Sequence, residues 1–326
     1  MRPLSQNLVE LVKLLSDGEY HDGTSIGNHL NISRAAVWKL IKKLEQYKVP
    51  LTCTKGKGYK LESSLTLLDI NRLKFQLRHR SIKLEVLEKI PSTNDYLKSL
   101  SKNNKEIIAC FAEAQTAGKG RLHRQWHSPF AENIYLSVLC PFEKDISELS
   151  GLSLVAALAI CRALESVIDL HEKHLSVKWP NDILMDGCKL AGTLIEIEAE
   201  SNGFCQVIIG VGINVNMRKA LKKDINQSWV SLSQVTNQTI DRNTLGTEII
   251  DSLIDYLERF SSKGLVSFKQ EWQKRDYLAD AMISVMSGSK KAKGVCLGIN
   301  HQGHLKIKAE TGDILTLSSG DTTLRK

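Results

Sequence analysis

The chain has 326 residues, of which 42% are hydrophobic and 25% charged; these near-average values exclude a disordered or fibrous protein. That length exceeds one ordinary core, so two or three domains are expected. No uninterrupted apolar run reaches the roughly 18 residues of a membrane helix. The start, Met1-Arg2-Pro3-Leu4-Ser5, lacks the apolar stretch of a secretory signal. Seven dispersed Cys with no Cys-x-x-Cys pair suit reduced thiols, so a cytoplasmic protein without a membrane partner is expected. Forty-four basic against 36 acidic residues leave +8, and a clustered excess would point to a polyanionic partner.

The excess is clustered. Between Leu30 and Lys60 stand Arg34, Lys39, Lys42, Lys43, Lys48, Lys55, Lys57 and Lys60 against the single acid Glu45, a net of +7. Leu8, Leu11, Val12 and Leu15 recur at helical spacing up to Asp17-Gly18, and Thr24 to Leu30 reads as a short second helix. Asn31-Ile32-Ser33 turns the chain, with Ser33 as N-cap of a third helix from about Arg34 to Tyr47. Val37, Leu40, Ile41 and Leu44 form its apolar stripe, leaving Arg34, Lys39, Lys42 and Lys43 to face outward. Two short strands, Leu51–Thr54 and Gly58–Leu61, flank the tip Lys55-Gly56-Lys57-Gly58. This is the pattern of a winged helix-turn-helix over residues 1–62. Ser33, Arg34, Ala35, Ala36 and Trp38 would meet base edges, and Lys39, Lys42, Lys55 and Lys57 would meet phosphates. The plainer alternative is a solvated helix face on a protein-interaction module.

After a linker at Glu62 to Thr66, strands and helices alternate. Asp69 to Leu77 reads as a helix, Lys83–Ile90 as a strand ending in Pro91-Ser92-Thr93-Asn94, and Ile107–Ala114 as a strand before Gln115. Asn133–Leu139 is a strand, Ser150–Leu170 a long apolar helix, and Ser176–Trp179 a strand ending in Pro180-Asn181-Asp182. Leu190–Glu198 and Phe204–Val215 look like an antiparallel pair joined at Glu200-Ser201-Asn202-Gly203. An α/β layer with a mixed or antiparallel sheet follows.

Gly118-Lys119-Gly120-Arg121-Leu122-His123-Arg124 is not a Walker A loop, because no Ser or Thr follows Gly118-Lys119. It is not a dinucleotide fingerprint either, because His123 stands where the third Gly would be. It is a glycine loop carrying Lys119, Arg121 and Arg124, able to wrap a phosphate with amides and charge together, or simply a surface loop. Pro180 holds Asn181 and Asp182 at a strand end, where Asp182 could bind Mg²⁺ or take a proton, or only form an Asx turn. Lys189 opens an apolar strand, as a site cation or as an edge gatekeeper. Gly210 and Gly212 interrupt a strong strand, from the close approach of a ligand or from a β-bulge.

Taken in order, Ser92-Thr93-Asn94, Gly118-Lys119-Gly120-Arg121, Lys178-Trp179-Pro180-Asn181-Asp182, Lys189-Leu190-Ala191-Gly192 and Gly210-Val211-Gly212-Ile213-Asn214 resemble the motifs of biotin–protein ligases. With the basic module in front, the chain resembles the bifunctional bacterial form that also represses the biotin operon. The resemblance implies an α+β multidomain fold. A winged helix would be followed by a mixed-sheet catalytic domain of the class II aminoacyl-tRNA synthetase/biotin ligase kind at 67–274. A small SH3-like β-barrel would occupy 275–326. It implies two steps: biotin and MgATP give biotinyl-5′-adenylate and pyrophosphate, and a lysine of the biotin carboxyl carrier protein of acetyl-CoA carboxylase then takes the acyl group. The adenylate-bound homodimer would bind biotin operator DNA. By carry-over, Ser92, Thr93, Asn94 and Gln115 would hold the biotin ureido end. Gly118, Lys119, Gly120, Arg121 and Lys189 would lie along the carboxylate or phosphate, and Gly192 and Gly210 would pack under the rings. Lys119, Arg124, Trp126, Asn181, Gly212, Asn214 and Trp229 would serve the nucleotide end. Lys189, Arg121 and Asp182 would be the catalytic group, with Asp182 also the Mg²⁺ candidate. Two departures stand out: Lys119 replaces the Arg of many relatives, and Leu122-His123 replaces a more basic or Gly-containing pair. A ligand sensor without turnover and a lipoate or octanoate transferase are the alternatives.

Overall fold

The computed structural model describes residues 3–325 apart from 103, 171–172, 201–203, 221–224, 226, 288–289 and 319–321. The expected turn Glu200–Gly203 therefore lies largely outside the described residues. The N-terminal apolar repeat folds as α1 (Gln6–Leu15), burying Leu8, Leu11, Val12 and Leu15. Asp22 caps α2 (Gly23–Leu30) and Asn31 ends it in the left-handed conformation. Ser33 caps α3 (Arg34–Gln46) by accepting from the amide of Ala36 at 3.2 Å. β1 (Leu51–Thr54) and β2 (Gly58–Leu61) pair antiparallel as the wing. His21 and Tyr59 exchange backbone hydrogen bonds of 3.0 and 2.9 Å, tying α2 to the wing. Gly58 allows this approach, since a Cβ there would lie 2.1 Å from the His21 carbonyl oxygen.

The middle of the chain supplies α4 (Ile70–Gln76), β3 (Lys83–Ile90), α5 (Thr93–Lys98), β4 (Ile108–Gln115), β5 (Ile134–Phe142), α6 (Leu152–Val167), β6 (Leu175–Lys178), β7 (Asp182–Met185), β8 (Cys188–Glu200) and β9 (Phe204–Ile213). Then come α7 (Leu232–Thr236), α8 (Arg242–Lys263) and α9 (Lys269–Arg275). The seven-stranded sheet runs β3-β4-β5-β9-β8-β7-β6; β3 and β4 are parallel and every other pair antiparallel. Alternate residues of β5, from Ile134 to Phe142, join α6 and α8 in the main core. The opposite face carries Ser137 and Leu139, with Leu97 of α5 in the smaller cluster. Residues Ile146–Val167 together have the length and apolarity of a membrane span, although polar residues interrupt the run. In this fold α6 is core, with Leu154, Val155, Leu158 and Ile160 almost wholly buried.

Beyond α9, β10 (Met282–Ser287), β11 (Lys290–Ile299), β12 (Leu305–Ala309), β13 (Ile314–Leu317) and β14 (Thr322–Arg325) form an antiparallel sheet in the order β13-β12-β11-β10-β14. Its buried Ile283, Val285, Cys296, Leu305 and Ile307 share the main core. The indole of Trp179 is 2% exposed and donates to the Gly303 carbonyl at 2.9 Å. That motif tryptophan therefore anchors the C-terminal sheet.

The winged helix has its own core, closed by Ala114, Phe130 and Ala131 of the central part. Lys43 does not face outward as its position off the stripe suggested. Lys43 and Tyr47 both donate to Glu88 of β3, which is 5% exposed. The Tyr47 ring stacks on Phe130 at 4.1 Å and 6°. Pairing with a buried carboxylate across the interface turns Lys43 inward. The linker is pinned by Arg242, whose guanidinium donates to Thr66 O at 2.7 Å and pairs with Glu113 at 2.7 Å, both side chains being fully buried.

Candidate active site

Strand ends and one glycine loop converge on the face of the sheet that carries α5. They enclose a cleft of about 600 Å³. Ser92 caps α5 by accepting from Asp95 N at 3.3 Å, placing Thr93 and Asn94 on the first turn at the cleft floor. Ser92, Thr93 and Asn94 are all nearly buried, at 3–4% exposure. The Gln115 carbonyl oxygen accepts from Thr93 N at 2.9 Å, and its amide nitrogen donates to Ser128 Oγ at 3.2 Å.

The glycine loop folds back on itself: Trp126 N donates to Gly118 O at 2.8 Å and Gly120 N to Arg124 O at 2.7 Å. Gly118 is hemmed in, since a Cβ there would meet Ser128 Oγ and Trp126 O at 2.8 Å. Leu122 and His123 hold φ of 54° and 58°, two successive side chains in the left-handed region. Such residues usually cost about 1 kcal/mol or more each, so the Leu122-His123 departure leaves local strain at the cleft mouth. Lys119 donates to Asp95, which lifts its ammonium above the usual value against partial burial. Burial pushes the Arg121 guanidinium below its usual value; Asp182 opposes this and Arg124 adds to it. Arg121 Nη1 reaches Asn181 Oδ1 at 3.4 Å.

Across the cleft, Lys178 to Asp182 form the β6–β7 turn. Asn181 is locked to β8: Thr193 N donates to its carbonyl at 3.0 Å, and its side chain donates to Thr193 O at 2.6 Å. Lys189 lies within the sheet on β8, so the edge-gatekeeper reading is set aside. Its ammonium sits 2.8 Å from Asp182 Oδ1 and 5.3 Å from the centroid of the Trp126 ring. Asp182 is the one carboxylate lining the cleft among the described residues. No cluster of three or more His, Cys, Asp or Glu capable of holding a metal occurs among them. A single carboxylate fits Mg²⁺ that arrives on a polyphosphate, not a resident ion in a protein cage.

The strand glycines are explained by close approach. Both ladders of β9 run through Gly210 and Gly212 in unbroken register, without a bulge. A Cβ at Gly210 would lie 2.3 Å from Asn94 Oδ1, and one at Gly212 would lie 2.4 Å from the Trp126 ring. A Cβ at Gly192 would lie 3.4 Å from the same ring. The Trp126 indole N–H is buried without a hydrogen-bond partner. Asn214 spends its side-chain donor on Lys189 O at 3.3 Å and Val230 O at 3.2 Å. It thereby ties the segment bearing half-buried Trp229 to β8, where Lys189 N also donates to Ser228 O at 3.0 Å. Ser92, Thr93, Asn94, Gln115, Lys119, Gly120, Arg121, Arg124, Trp126, Asn181, Asp182, Lys189, Gly192, Gly210, Gly212, Asn214 and Trp229 thus line one cleft, with Gly118 directly beneath it. Sequence reading missed Ser137 and Glu196, which lie under the floor. A lone serine in the apolar run Ile134–Phe142 and a glutamate in phase with Gly192 were the available signals.

On the winged helix, Ser33, Arg34, Ala35, Trp38, Lys39, Lys42, Lys55 and Lys57 are exposed and Ala36 is half-buried. Trp38 is 53% exposed, with the Lys42 ammonium 5.9 Å from its ring. The face expected to meet DNA is therefore open.

An HTH domain model matches residues 7–60, and the Biotin/lipoate A/B protein ligase family matches residues 86–214. The Bifunctional ligase/repressor BirA of Salmonella typhimurium is 38% identical over 315 residues, covering 97% of this chain and 96% of that one. The Escherichia coli protein of the same description is 36% identical over 317 residues, 97% of each. The solved biotin protein ligase of Aquifex aeolicus in complex with biotin and ATP superimposes with a TM-score of 0.63 at 29% identity, covering 75% of this chain and 99% of that one. The two family models match in the order in which the fold places the helix-turn-helix and the cleft, the two relatives match along nearly the whole sequence, and the chain belongs to the bifunctional ligase/repressor family of biotin ligases.

Proposed function

We propose that this chain is an ATP-dependent biotin–protein ligase. It makes biotinyl-5′-adenylate and transfers biotin to a lysine of the biotin carboxyl carrier protein of acetyl-CoA carboxylase. As an adenylate-bound homodimer it represses biotin synthesis by binding operator DNA. The observation that carries this reading is the cleft itself. Lys119, Arg121, Arg124 and Lys189 ring a floor of glycines and a polar buried corner, a place for two anions and a ring system side by side. The unpartnered indole N–H of Trp126 adds a donor that a ligand can use.

A carboxylate is ionised at pH 7, so the first step needs alignment and charge neutralisation, not a strong base. Ser92, Thr93, Asn94 and Gln115 hold the ureido ring, and Gly118, Lys119, Gly120, Arg121 and Lys189 line the reacting carboxylate and α-phosphate. Gly192 and Gly210 let the rings lie on backbone, and Trp126 closes the apolar side. Arg124, Asn181, Gly212, Asn214 and Trp229 serve the nucleotide end, with Trp229 as the stacking ring for adenine. Mg²⁺ carried in on the triphosphate would offset its charge, and Asp182 is the cleft carboxylate that would hold it. Lys189 is paired with Asp182; when it turns to the anion, Asp182 is released to take the proton of the incoming carrier lysine.

The units are a DNA-binding domain at 1–62, a catalytic domain at 67–274 and an SH3-like barrel at 275–326, working in the cytoplasm. Three observations bear on the dimer. The outer edge of β3 is taken by Leu4 N donating to Val86 O at 3.0 Å, and that of β6 by Tyr277 N donating to Val177 O at 3.1 Å. Beyond Gly192, β8 outruns β7, so its outer edge from 194 to 200 has no ladder partner among the described residues. That edge is the one we assign to the two-fold contact. The test of the ligase is labelling of a carrier domain with biotin and ATP. Wild-type protein labels one carrier lysine and Lys189→Ala loses at least about tenfold in rate, as expected for a charged group at the reacting centre. Labelling supported by lipoate and not biotin would replace this reading with the lipoate transferase.

A further inference from the structure

We propose that Ser128, a residue outside the motifs, is a positioning residue for the ligation. Its hydroxyl ties Gln115, in the corner given to the ureido ring, to the backbone of Trp126, the ring that closes the apolar side. This rests on the biotin reading of the cleft.

The ends of this link fix its direction. A backbone N–H only donates, so Thr93 N, 2.9 Å from Gln115 Oε1, settles which way the Gln115 amide points. The Thr93 hydroxyl donates to the same oxygen at 3.1 Å. Gln115 Nε2 then faces Ser128 Oγ and donates to it at 3.2 Å. A backbone carbonyl only accepts, so the single Ser128 proton goes to Trp126 O at 3.0 Å. Thr93, Gln115, Ser128 and Trp126 thus form one unbroken series. Gly118 supplies an independent sign that the junction is tight. A Cβ at 118 would lie 2.8 Å from Ser128 Oγ, 2.8 Å from Trp126 O and 2.9 Å from Gln115 Nε2, the three atoms that meet there. Only a residue without a side chain lets them converge on the loop.

Trp126 needs such a tether. Its ring rests on strand glycines, and its indole N–H has no hydrogen-bond partner, so no hydrogen bond of the side chain fixes it. The residue is placed through its backbone: its N donates to Gly118 O at 2.8 Å and its O accepts from Ser128. Further along the same arm, the hydroxyl of buried Tyr135 on β5 holds Pro129 O at 2.8 Å. Tyr135 steadies the arm, but Ser128 is the contact that also reaches the ureido corner. A ligand that holds Gln115 steadies Ser128, and through it the ring beside the adenylate. Without the Ser128 hydroxyl, Gln115 loses the acceptor that fixes its amide and Trp126 loses its carbonyl anchor.

The test uses the full-length chain as wild type, Ser128→Ala, Tyr135→Phe, Gln115→Ala and Gln115→Ala/Ser128→Ala. Pyrophosphate exchange gives kcat and the biotin KM, and rapid filtration gives the release rate of labelled biotinyl-5′-adenylate. Ser128→Ala should raise the biotin KM about fivefold to tenfold and speed adenylate release by a similar factor, the scale of one neutral buried hydrogen bond at each end of the link. Its kcat should stay within about threefold of wild type, with the melting temperature unchanged. Tyr135→Phe loosens the arm alone, so it speeds release but leaves the biotin KM within about twofold. Gln115→Ala raises the biotin KM, and adding Ser128→Ala to it changes that KM little, because the two act through one contact. The proposal is overturned if Ser128→Ala leaves the biotin KM or the release rate at the wild-type value. It is equally overturned if Tyr135→Phe raises the biotin KM as much as Ser128→Ala does, or if the Ser128→Ala effect on that KM persists in full in the Gln115→Ala background. Wild-type protein without biotin-dependent exchange would instead sink the biotin reading, and this proposal with it.

Discussion

Replacing Glu88 by Ala should loosen the winged helix from the catalytic part without damaging the catalytic core. Glu88 accepts from both Lys43 Nζ of α3 and the hydroxyl of Tyr47, the C-cap of α3, and it is 5% exposed. Burial, then the bond to Glu88, holds the Tyr47 hydroxyl above its usual pKa, so it stays a donor throughout the working range. Each hydrogen bond to a charged group is worth about 1.5–3 kcal/mol. Lys43 keeps 29% exposure and can be rehydrated, so its share lies at the low end or below. The two together give a docking loss of about 2–4 kcal/mol, roughly two orders of magnitude in the docking equilibrium. The Tyr47–Phe130 stack and the pinned linker remain, so the domain stays tethered. Hydrogen exchange read by mass spectrometry separates the parts. Amides of α1 and α3 should lose protection in Glu88→Ala while those of α6 and α8 keep theirs. Unchanged protection in α3, or an equal fall in α6, would refute the interdomain role given to Glu88.

Three further outcomes follow from the geometry. Gly212→Val should displace Trp126, because the Cβ alone would lie 2.4 Å from its ring; Trp126 is half-buried and can swing outward, so biotin affinity should fall about tenfold or more while the melting temperature moves little. Isothermal titration and calorimetry on one sample check both halves. The Glu132 carboxyl is pushed up to about 7 by burial, against the pull of Arg242, whose partner is Glu113. A raised acid means that the folded state binds the extra proton between about 4.5 and 7, so stability falls as pH rises through that window and is flat above it. Glu132→Gln should flatten the fall and gain about 1–3 kcal/mol at pH 8, the partial exposure of the group setting the lower figure; equal denaturation slopes for both proteins would contradict this. Lys57→Ala on the exposed wing should lower the slope of log affinity against log salt for operator DNA by about 0.9 and leave carrier labelling unchanged. An unchanged slope would place the phosphate contacts elsewhere.

The winged helix was legible because its signals are local. The apolar spacing of α1, the Ser33 cap and the Lys55–Gly58 tip each specify a conformation within a few residues. The cleft was legible as a set of motifs, although its assembly depends on pairings that sequence does not state, such as Gly192 opposite Gly212 across β8 and β9. What escaped was long-range. Lys43 looks like any outward lysine until β3 brings Glu88 beneath it. Trp179 stands inside a motif, and no local signal shows that its indole meets the Gly303 carbonyl of the C-terminal sheet. Arg242 carries no local sign of its role, yet it is wholly buried because Glu113 and the carbonyls of Thr66 and Asn133 converge on it. The helix that carries Arg242 does show Leu245, Ile249, Leu253, Leu257 and Phe260 at helical spacing, so its existence was within reach of the same periodicity argument. β7 was hidden for a different reason: a four-residue strand directly after Pro180-Asn181 looks like a turn until β6 and β8 pair with it.

The central claim is that one cleft joins biotin to the α-phosphate of ATP, and biotin-dependent exchange of labelled pyrophosphate into ATP by the purified chain tests it most directly. Exchange that requires both biotin and Mg²⁺, and that falls at least about tenfold in Lys189→Ala, is the result expected from a cation at the reacting centre. Exchange that proceeds without biotin, or none at all from a protein that binds biotin, would contradict it.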